Sequence, residues 1–522
     1  MSLNRPLAEN PICNGSLRFT PSRLLARNAV LNLATNGWVF VVLVLAMPKL
    51  VHYLGETSFG LFSLAWVIIG YLAFLDIGVN RAATKFISEH LAGQDHDSAR
   101  QIVRTALIAN LSMGLLGGLA VGVSSPYLVH IFKISGNLAQ DARLTFYAVG
   151  IAVPVLLVQG IFRAVLSSYQ RFGWMNAVDA LTMTAQWGVA ALLAWRGHGV
   201  ALVVASTVIA RILSAIVFGG LVVKLLPDLQ VFRLHGFHGL ARLLHFGGWV
   251  SVTQVVSPLL TYADRVLIAA WVSLGAVTLY TVPFEAIARL RIIPTSLMGT
   301  VYPAFSERSG GADKQHLQKL YERSVRYLLL LLVPGVLYLL ILGQDLFRIW
   351  MGVSFAQQVA TVVSVLALGI LTNALAQVPA SLLQAIGRPD VTGKFHLLEL
   401  PLHLALCALL IPRWGITGAA VATTIRFSFD CGLLFWAAGK YCGCSLARFW
   451  LAILPRIVVL GGALALALFA TVLAFHNPWV RLGVGAIWTA IFLLGTWAFA
   501  VERDEKPRIT GLVRNFLGQP AV

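Results

Sequence analysis

The stretch VPFEAIARLRIIPTSLMGTVYPAF, residues 282–305, is long enough to cross a bilayer yet carries Glu285, Arg289 and Arg291. A hydrocarbon core takes about 20 helical residues. A charge at the centre of such a helix costs about 2.5–3.5 kcal/mol on insertion scales, so three cost about 9 kcal/mol, while each apolar residue returns about 0.3–0.6 kcal/mol. The segment can persist only if its charges pair or face a watery cavity within a bundle.

The rest of the chain supplies that bundle. Its 522 residues are 58% hydrophobic and only 11% charged, with mean hydropathy +0.80. A soluble protein of this size carries roughly twice that charge. Apolar runs at 28–48, 58–79, 103–124, 143–165, 177–195, 199–223, 246–270, 275–304, 325–347, 359–386, 395–412, 415–438, 453–474 and 479–500 predict about 14 transmembrane helices. Glu399, Pro401 and His403 interrupt the 395–412 run. Barrel strands would be about 10 residues long with alternating polarity, which these runs are not. Residues 1–27 are polar and basic and resemble no cleavable leader, so the first apolar run is expected to be a mature helix.

Of the 39 Lys and Arg residues, about 27 fall on one set of loops and about 7 on the other, a positive-inside bias that puts both termini in the cytoplasm. Basic loops against an anionic leaflet account for the net charge of +18 without nucleic acid as a partner. Among five cysteines, Cys407 and Cys431 lie in apolar runs and behave as small hydrophobes. Cys442 and Cys444 have no second Cys or His pair at zinc spacing. No metal, cofactor or catalytic residue is predicted.

The loops are short, so function must sit among the helices. The chain also repeats itself. LGETSFGLF (54–62) and LGAVTLY (274–280) each open an apolar helix, leading to FISE (86–89) and AFSE (304–307). SYQRFGWMN (168–176) matches LLQAIGRPD (382–390), and RGHGVA (196–201) matches RWGITGAA (413–420). Arg211 and Arg426 fall at corresponding places in the helices that follow. The fold expected is all-α and integral to the membrane, with two six-helix pseudo-symmetric halves and two C-terminal helices. Residues 1–27 would be a cytoplasmic segment, 28–223 the first half, 224–245 a cytoplasmic linker, 246–438 the second half, 453–500 the extra pair and 501–522 a basic cytoplasmic tail.

Glu285 and Arg289 are four apart, with the acid N-terminal, a favourable order. Arg291 lies about 200° around an ideal helix from Arg289, and Pro294 can kink the helix nearby. Two readings stay open: a local Glu285–Arg289 pair with Arg291 at the wet end, or at least one Arg facing a translocation path. Other intramembrane charges are Arg211, Asp264 and Arg265, and Arg426 with Asp430 four residues on. Asp76 and Arg81 close the second span as a capping or gate pair. Glu399 and His403, also four apart, either couple an ion or mark a poorly buried helix. His396 and Asp179 lie near span ends. D-H-D at 95–97 sits in a loop too short for a nucleotide-sugar fold, and no phosphate-cradling P-loop is present. Residues 306–324 read as a surface helix with Leu317, Leu320 and Tyr321 on one side.

YLGETSFGLFSLAW and LDIGVNRAATKFISE (53–66, 75–89), YADR (262–265), VYPAFSE (301–307) and LLQAIGRPD with IPRWGITGAAVAT (382–390, 411–423) resemble the polysaccharide (O-antigen-type) flippases. These are a branch of the multidrug/oligosaccharidyl-lipid/polysaccharide exporter superfamily. Thr278 stands where the family usually has Gly. The resemblance implies movement of a polyprenyl-pyrophosphate-linked oligosaccharide to the outer leaflet of a bacterial inner membrane, by antiport and without ATP. Arg matches phosphate oxygens with a permanent charge and a planar fork, so Arg211, Arg265, Arg289, Arg291 and Arg426 are the candidate substrate ligands. Trp66, Trp187 and Trp249 could stack sugars. Asp264, Glu285, Asp430 and Glu399 are candidates to exchange a proton or sodium ion, and Asp76 and Arg81 a candidate gate. Membrane lipids, and the polymerase and glycosyltransferases of the pathway, are candidate partners. The competing readings are a small-molecule antiporter of the same superfamily and a membrane polymerase or ligase, which generally needs a larger outer loop.

Overall fold

The computed structural model describes residues 21–76, 78–227, 240–309, 314–443 and 447–499. Most of the expected N-terminal segment and 224–245 linker, and the expected tail, lie outside the described residues, as does the side chain of Trp249. Fourteen α-helices are described: α1 (Pro21–Leu72), α2 (Val79–Ala92), α3 (His96–Ile131), α4 (Leu138–Ser168), α5 (Phe172–Trp195), α6 (Val200–Leu225), α7 (Leu240–Trp271), α8 (Leu274–Ala288), α9 (Ile292–Ser309), α10 (Lys314–Met351), α11 (Val353–Ala385), α12 (Pro389–Cys442), α13 (Ala447–Ala474) and α14 (Pro478–Phe499). Short 3₁₀ turns follow α1 (Ala73–Asp76) and α8 (Arg289–Arg291). No strand occurs among the described residues. Among the described residues, ten helical segments are long and apolar enough to cross a membrane.

The count of helices matches the count of apolar runs, but the divisions differ. Two runs join in α1 across Gly55 (φ 77°), and two join in α12 across Gly415 (φ 55°). Glycine tolerates this left-handed backbone without a Cβ clash, so each long helix is two helical limbs joined at a sharp bend. α2 is a short amphipathic helix not foreseen as an element; Ala82, Ala83, Phe86 and Ile87 pack its apolar face with residues of α3, α4 and α6. The expected surface helix at 306–324 is corrected. Residues from Lys314 onward are the opening turns of α10, and Leu317 and Tyr321 are buried beside Phe305 and Leu328. Their apolar stripe continues unbroken into the following run, so the helix has no reason to end.

The run over 275–304 is not one helix. It breaks into α8, the Arg289–Arg291 turn and α9. Pro294 has no N–H to offer the carbonyl four residues back and crowds it, which places the break at the two arginines.

α1 packs against α5 and α8, α3 against α4, α4 against α6, and α12 against α7, α8 and α11; α13 and α14 pack on α10. The α1–α8 contact is close. Gly60 lies so near the Leu274 carbonyl that a Cβ there would sit 1.8 Å from its oxygen. Beside it, Thr278 donates to the Glu56 carbonyl at 2.6 Å. Thr278, the departure noted in the sequence, thus bridges the first and second sets of helices.

Candidate functional site

Three gatherings of charged side chains lie among the first twelve helices where the sequence candidates fall, apart from the Arg388–Asp390–Lys394 cluster at the start of α12 and the Asp345–Arg481 pair between α10 and α14. The first is the wall formed by α7, α8 and α12. Arg265 lies about 9 Å from the end of α7, at 1.5 Å per residue, and is 1% exposed. Its Nη2 donates to Glu285 Oε1 at 3.1 Å, its Nη1 donates to the Thr261 carbonyl at 2.8 Å, and its guanidinium centre stands 4.5 Å from the Phe284 ring centroid. Asp264 next to it accepts from its own neighbour's N–H at 2.8 Å, from the Tyr280 hydroxyl, and from Thr423 Oγ1 at 3.3 Å. These contacts give both oxygens of the carboxylate a donor and both Nη atoms of the guanidinium an acceptor, leaving Arg265 Nε without a hydrogen bond among the described residues, so neither charge is bare in the interior.

The second place is deeper along α12. Glu399, on the first limb, is fully buried, and its Oε2 lies 3.6 Å from Arg426 Nη1 on the second limb. Arg426 also lies over Phe427 at 4.4 Å. His396, Glu399 and Asp430 bring one potential ligand atom each to within 4.8 Å of one another. His403 is fully buried one turn above, its ring within 3.7 Å of Cys407 Sγ. This burial decides the reading of Glu399 and His403: they do not mark a poorly buried helix. A divalent ion would sit beside the Arg426 cation, which opposes it, so the donor set fits an acid pair better than a metal centre.

The third place is among the first six helices. A cavity of about 370 Å³ is lined by Asp76, Gln159, Arg163, Asp179, Gln186 and Arg211, among others. Arg163 is hydrogen-bonded to Asp179. Gln159 donates to Ser214 at 2.7 Å and Gln186 to the Thr207 carbonyl at 3.2 Å. Arg211 makes no ion pair among the described residues; its guanidinium lies over the Trp66 ring at 4.4 Å. Trp66 and Trp187 both meet Phe62 edge-on, at 6.4 and 5.9 Å.

The structure therefore sorts the sequence candidates. Asp264, Arg265 and Glu285 come together with Tyr280, and Glu399, Arg426 and Asp430 come together with His396. Glu285 reaches Arg289 at 4.0 Å, but its nearer partner is Arg265. Arg426 pairs with Glu399 and not with Asp430 four residues along. Arg289 is 41% exposed at the side chain. Arg291 is exposed. A 3₁₀ turn advances about 120° per residue, so the two arginines still point to different sides. Asp76 caps α2 through the Asn80 N–H at 3.1 Å and accepts from Asn110 at 2.9 Å, while Arg81 is exposed.

Sequence reasoning missed the Arg163–Asp179 pair, Gln159, Gln186 and the role of His396. Each polar residue stands inside or at the edge of an apolar run, which is the signal that could have found it.

Residues 25–309 match the family described as polysaccharide biosynthesis protein. The chain is 26% identical over 419 residues to a Shigella flexneri protein named "Putative O-antigen transporter", covering 80% of this chain and 98% of that one. It is 23% identical over 415 residues to the Haloferax volcanii "Probable low-salt glycan biosynthesis flippase Agl15", covering 78% and 82%. Its fold matches the lipid II flippase MurJ in an inward closed conformation, with a TM-score of 0.69 at 12% identity over 90% of this chain and 99% of that one.

Proposed function

This chain belongs to the polysaccharide biosynthesis protein family, and on that premise we propose that it is a flippase. It carries a polyprenyl-pyrophosphate-linked oligosaccharide from the inner to the outer leaflet of a bacterial inner membrane, with both termini in the cytoplasm. It acts as a transporter and not as an enzyme. The pathway's polymerase and glycosyltransferases work on either side of the step.

The observation that carries the reading is the division of the intramembrane arginines. Arg265 and Arg426 are buried and ion-paired. Arg211 and Arg291 make no ion pair among the described residues, and Arg289 holds only a 4.0 Å contact. In this reading Arg211, Arg289 and Arg291 meet the pyrophosphate, whose charge a low-dielectric centre would otherwise exclude. Arg265 and Arg426 serve as buried counter-ions in the wall. Trp66, under Arg211, offers a stacking face at the edge of the polar cavity.

Alternating access then comes from residues 28–223 rocking against 246–438, with 453–500 as an added pair. The tight α1–α8 contact at Gly60 and Leu274 supports a gate closed on that face. An ion gradient drives the cycle through the carboxylates of the second half.

The test is reconstitution in liposomes loaded with a labelled polyprenyl-pyrophosphate oligosaccharide, with an external sugar-modifying enzyme reading how much label reaches the outer leaflet. Label exposed by wild type and not by Arg211→Ala or Arg291→Ala supports the proposal. No exposure by folded wild type, under any imposed proton or sodium gradient, would transfer the chain to the small-molecule antiporters of the same superfamily.

A further inference from the structure

We propose that Glu399 and Asp430 form a single proton-binding site, a carboxyl pair that shares one proton beside Arg426. The inference deepens the flippase reading, on which its coupling role rests, by naming the ion and the atoms that hold it.

The geometry points to a shared proton in three ways. First, both acids are withdrawn from water and unsatisfied. Glu399 is 0% exposed and Asp430 7%. Neither oxygen of Glu399 accepts a hydrogen bond among the described residues, nor does Oδ1 of Asp430. Buried acceptors without donors are costly, and Arg426, at 3.6 Å, is an ion-pair partner of Glu399 without a hydrogen bond. Second, the two carboxyls approach one another, with His396 within the same 4.8 Å cluster. Like charges at such range disfavour double ionisation, and in the resting state two such carboxyls hold one proton between them. A proton on one acid gives the other the donor it lacks.

Third, the charges sum to one vacancy. Glu399 and Asp430 carry two negative charges and Arg426 one positive, with the imidazoles neutral. One proton brings the set to zero, which a low-dielectric interior favours. A divalent ion would overshoot. A sodium ion would balance the charge as well, which is why the flipping test below includes a sodium gradient at equal pH.

The other ionisable groups around the pair fit this arithmetic. On α12 itself stand His396, His403, Cys407 and Cys431. α7 brings Asp264 and Arg265, already paired or hydrogen-bonded, and α8 brings Tyr280 and Glu285. Arg291 stands in the turn after α8. α11, packed along α12, contains no ionisable side chain from Val353 to Ala385. Asp264 and Glu285, the other acids nearby among the described residues, already have partners, and His396, in the same cluster, is placed to pass the proton on.

The coupling step is a proton exchange with no other bond change. When the proton leaves through His396, Glu399 and Asp430 are both anionic and Arg426 is drawn between them. When it returns, Arg426 is left to one carboxylate. The shift of Arg426 changes the field at Arg291, one of the arginines assigned to the pyrophosphate.

The direct test is infrared difference spectroscopy on the purified chain, following the carbonyl band of a protonated carboxyl as pH is raised from neutral. Wild type should show one such band at neutral pH. Glu399→Gln and Asp430→Asn, which preserve shape, should each abolish it completely, because either acid alone ionises against Arg426. If each variant removes only half of the band, or neither removes any, the shared proton is overturned. Should a variant fail to fold, the alkaline titration of wild type decides the point: loss of a single proton supports the pair, and no band at neutral pH overturns it.

Flipping in proteoliposomes adds the coupling readout. An outside-acid gradient should accelerate flipping by wild type, and the acceleration should vanish in both variants. Acceleration kept by the variants, or produced by a sodium gradient at equal pH, overturns the proposal. If wild type does not flip at all, the flippase reading falls while the infrared band still judges the site.

Discussion

Arg265 Nη2 donates to Glu285 Oε1 at 3.1 Å, joining a cation of α7 that is 1% exposed to the acid in the last turn of α8. This answers why the 282–305 run tolerates Glu285: the acid completes a charge already buried in the neighbouring helix. Removing one member of such a pair leaves the other uncompensated, which is more costly than the pair's own net worth.

Glu285→Ala should therefore lower thermal stability by about 1–3 kcal/mol, because Arg265 keeps only its bond to Thr261. Glu285 is itself 36% exposed at the side chain, which keeps the cost below that of a fully buried pair. Arg265→Ala leaves Glu285 with Arg289 at 4.0 Å. A double-mutant cycle read by thermal unfolding in detergent should give a favourable coupling between Arg265 and Glu285. Additive single effects would count against the pair.

The free and the locked arginines should separate experimentally. Arg211→Ala and Arg291→Ala should depress flipping at least tenfold, about 1.4 kcal/mol, with an unchanged unfolding temperature. Arg265→Ala should lower the unfolding temperature itself. Measuring transport and melting on the same preparations checks this, and a stability loss in Arg211→Ala would return Arg211 to a structural role on Trp66.

The α1–α8 contact should resist even one carbon. A Cβ at Gly60 meets the Leu274 carbonyl oxygen at 1.8 Å, so Gly60→Ala must push the helices apart, at about 1–3 kcal/mol. Gly37, with nothing near its Cβ position, is the control. Folded yield by size-exclusion chromatography should fall for Gly60→Ala and hold for Gly37→Ala.

Asp76→Ala should destabilise by about 1–3 kcal/mol, since it strips the acceptor from the Asn80 N–H and from Asn110 Nδ2 at once. Asp76→Asn keeps one acceptor and should recover part of the loss. Hydrogen exchange at the first turn of α2 reads the cap directly.

Outside the spans, Asp95 caps α3 by accepting from the Ser98 N–H at 3.0 Å, and hydrogen bonding by the Ser98 side chain together with that N–H holds its carboxyl below the usual range. A folded value below the unfolded one means stability that is present above the unfolded carboxylate value, about 3.9, and lost as pH falls through the folded value. Protection of the Ser98 amide should follow that course in wild type and be flat with pH in Asp95→Ala.

The membrane character, the crossings and the inventory of intramembrane charges were legible in the sequence. They depend on runs of about 20 residues, and transfer from water is a local property of each run. The places of the bends were partly legible: Gly55 and Gly415 stand in the quoted turns, but that each joins two limbs into one helix with a bent waist required the backbone. What only the tertiary structure decided is the partner of each charge. Spacing along one helix suggested Glu285 with Arg289 and Arg426 with Asp430. The fold pairs Glu285 with Arg265 from α7, and Arg426 with Glu399 from the other limb of α12. The physical reason is desolvation. A charge facing water gains little from any neighbour, so sequence spacing is a fair guide there. A charge buried in a bundle must take the partner that packing brings within reach, and packing is set by helices far apart in the chain.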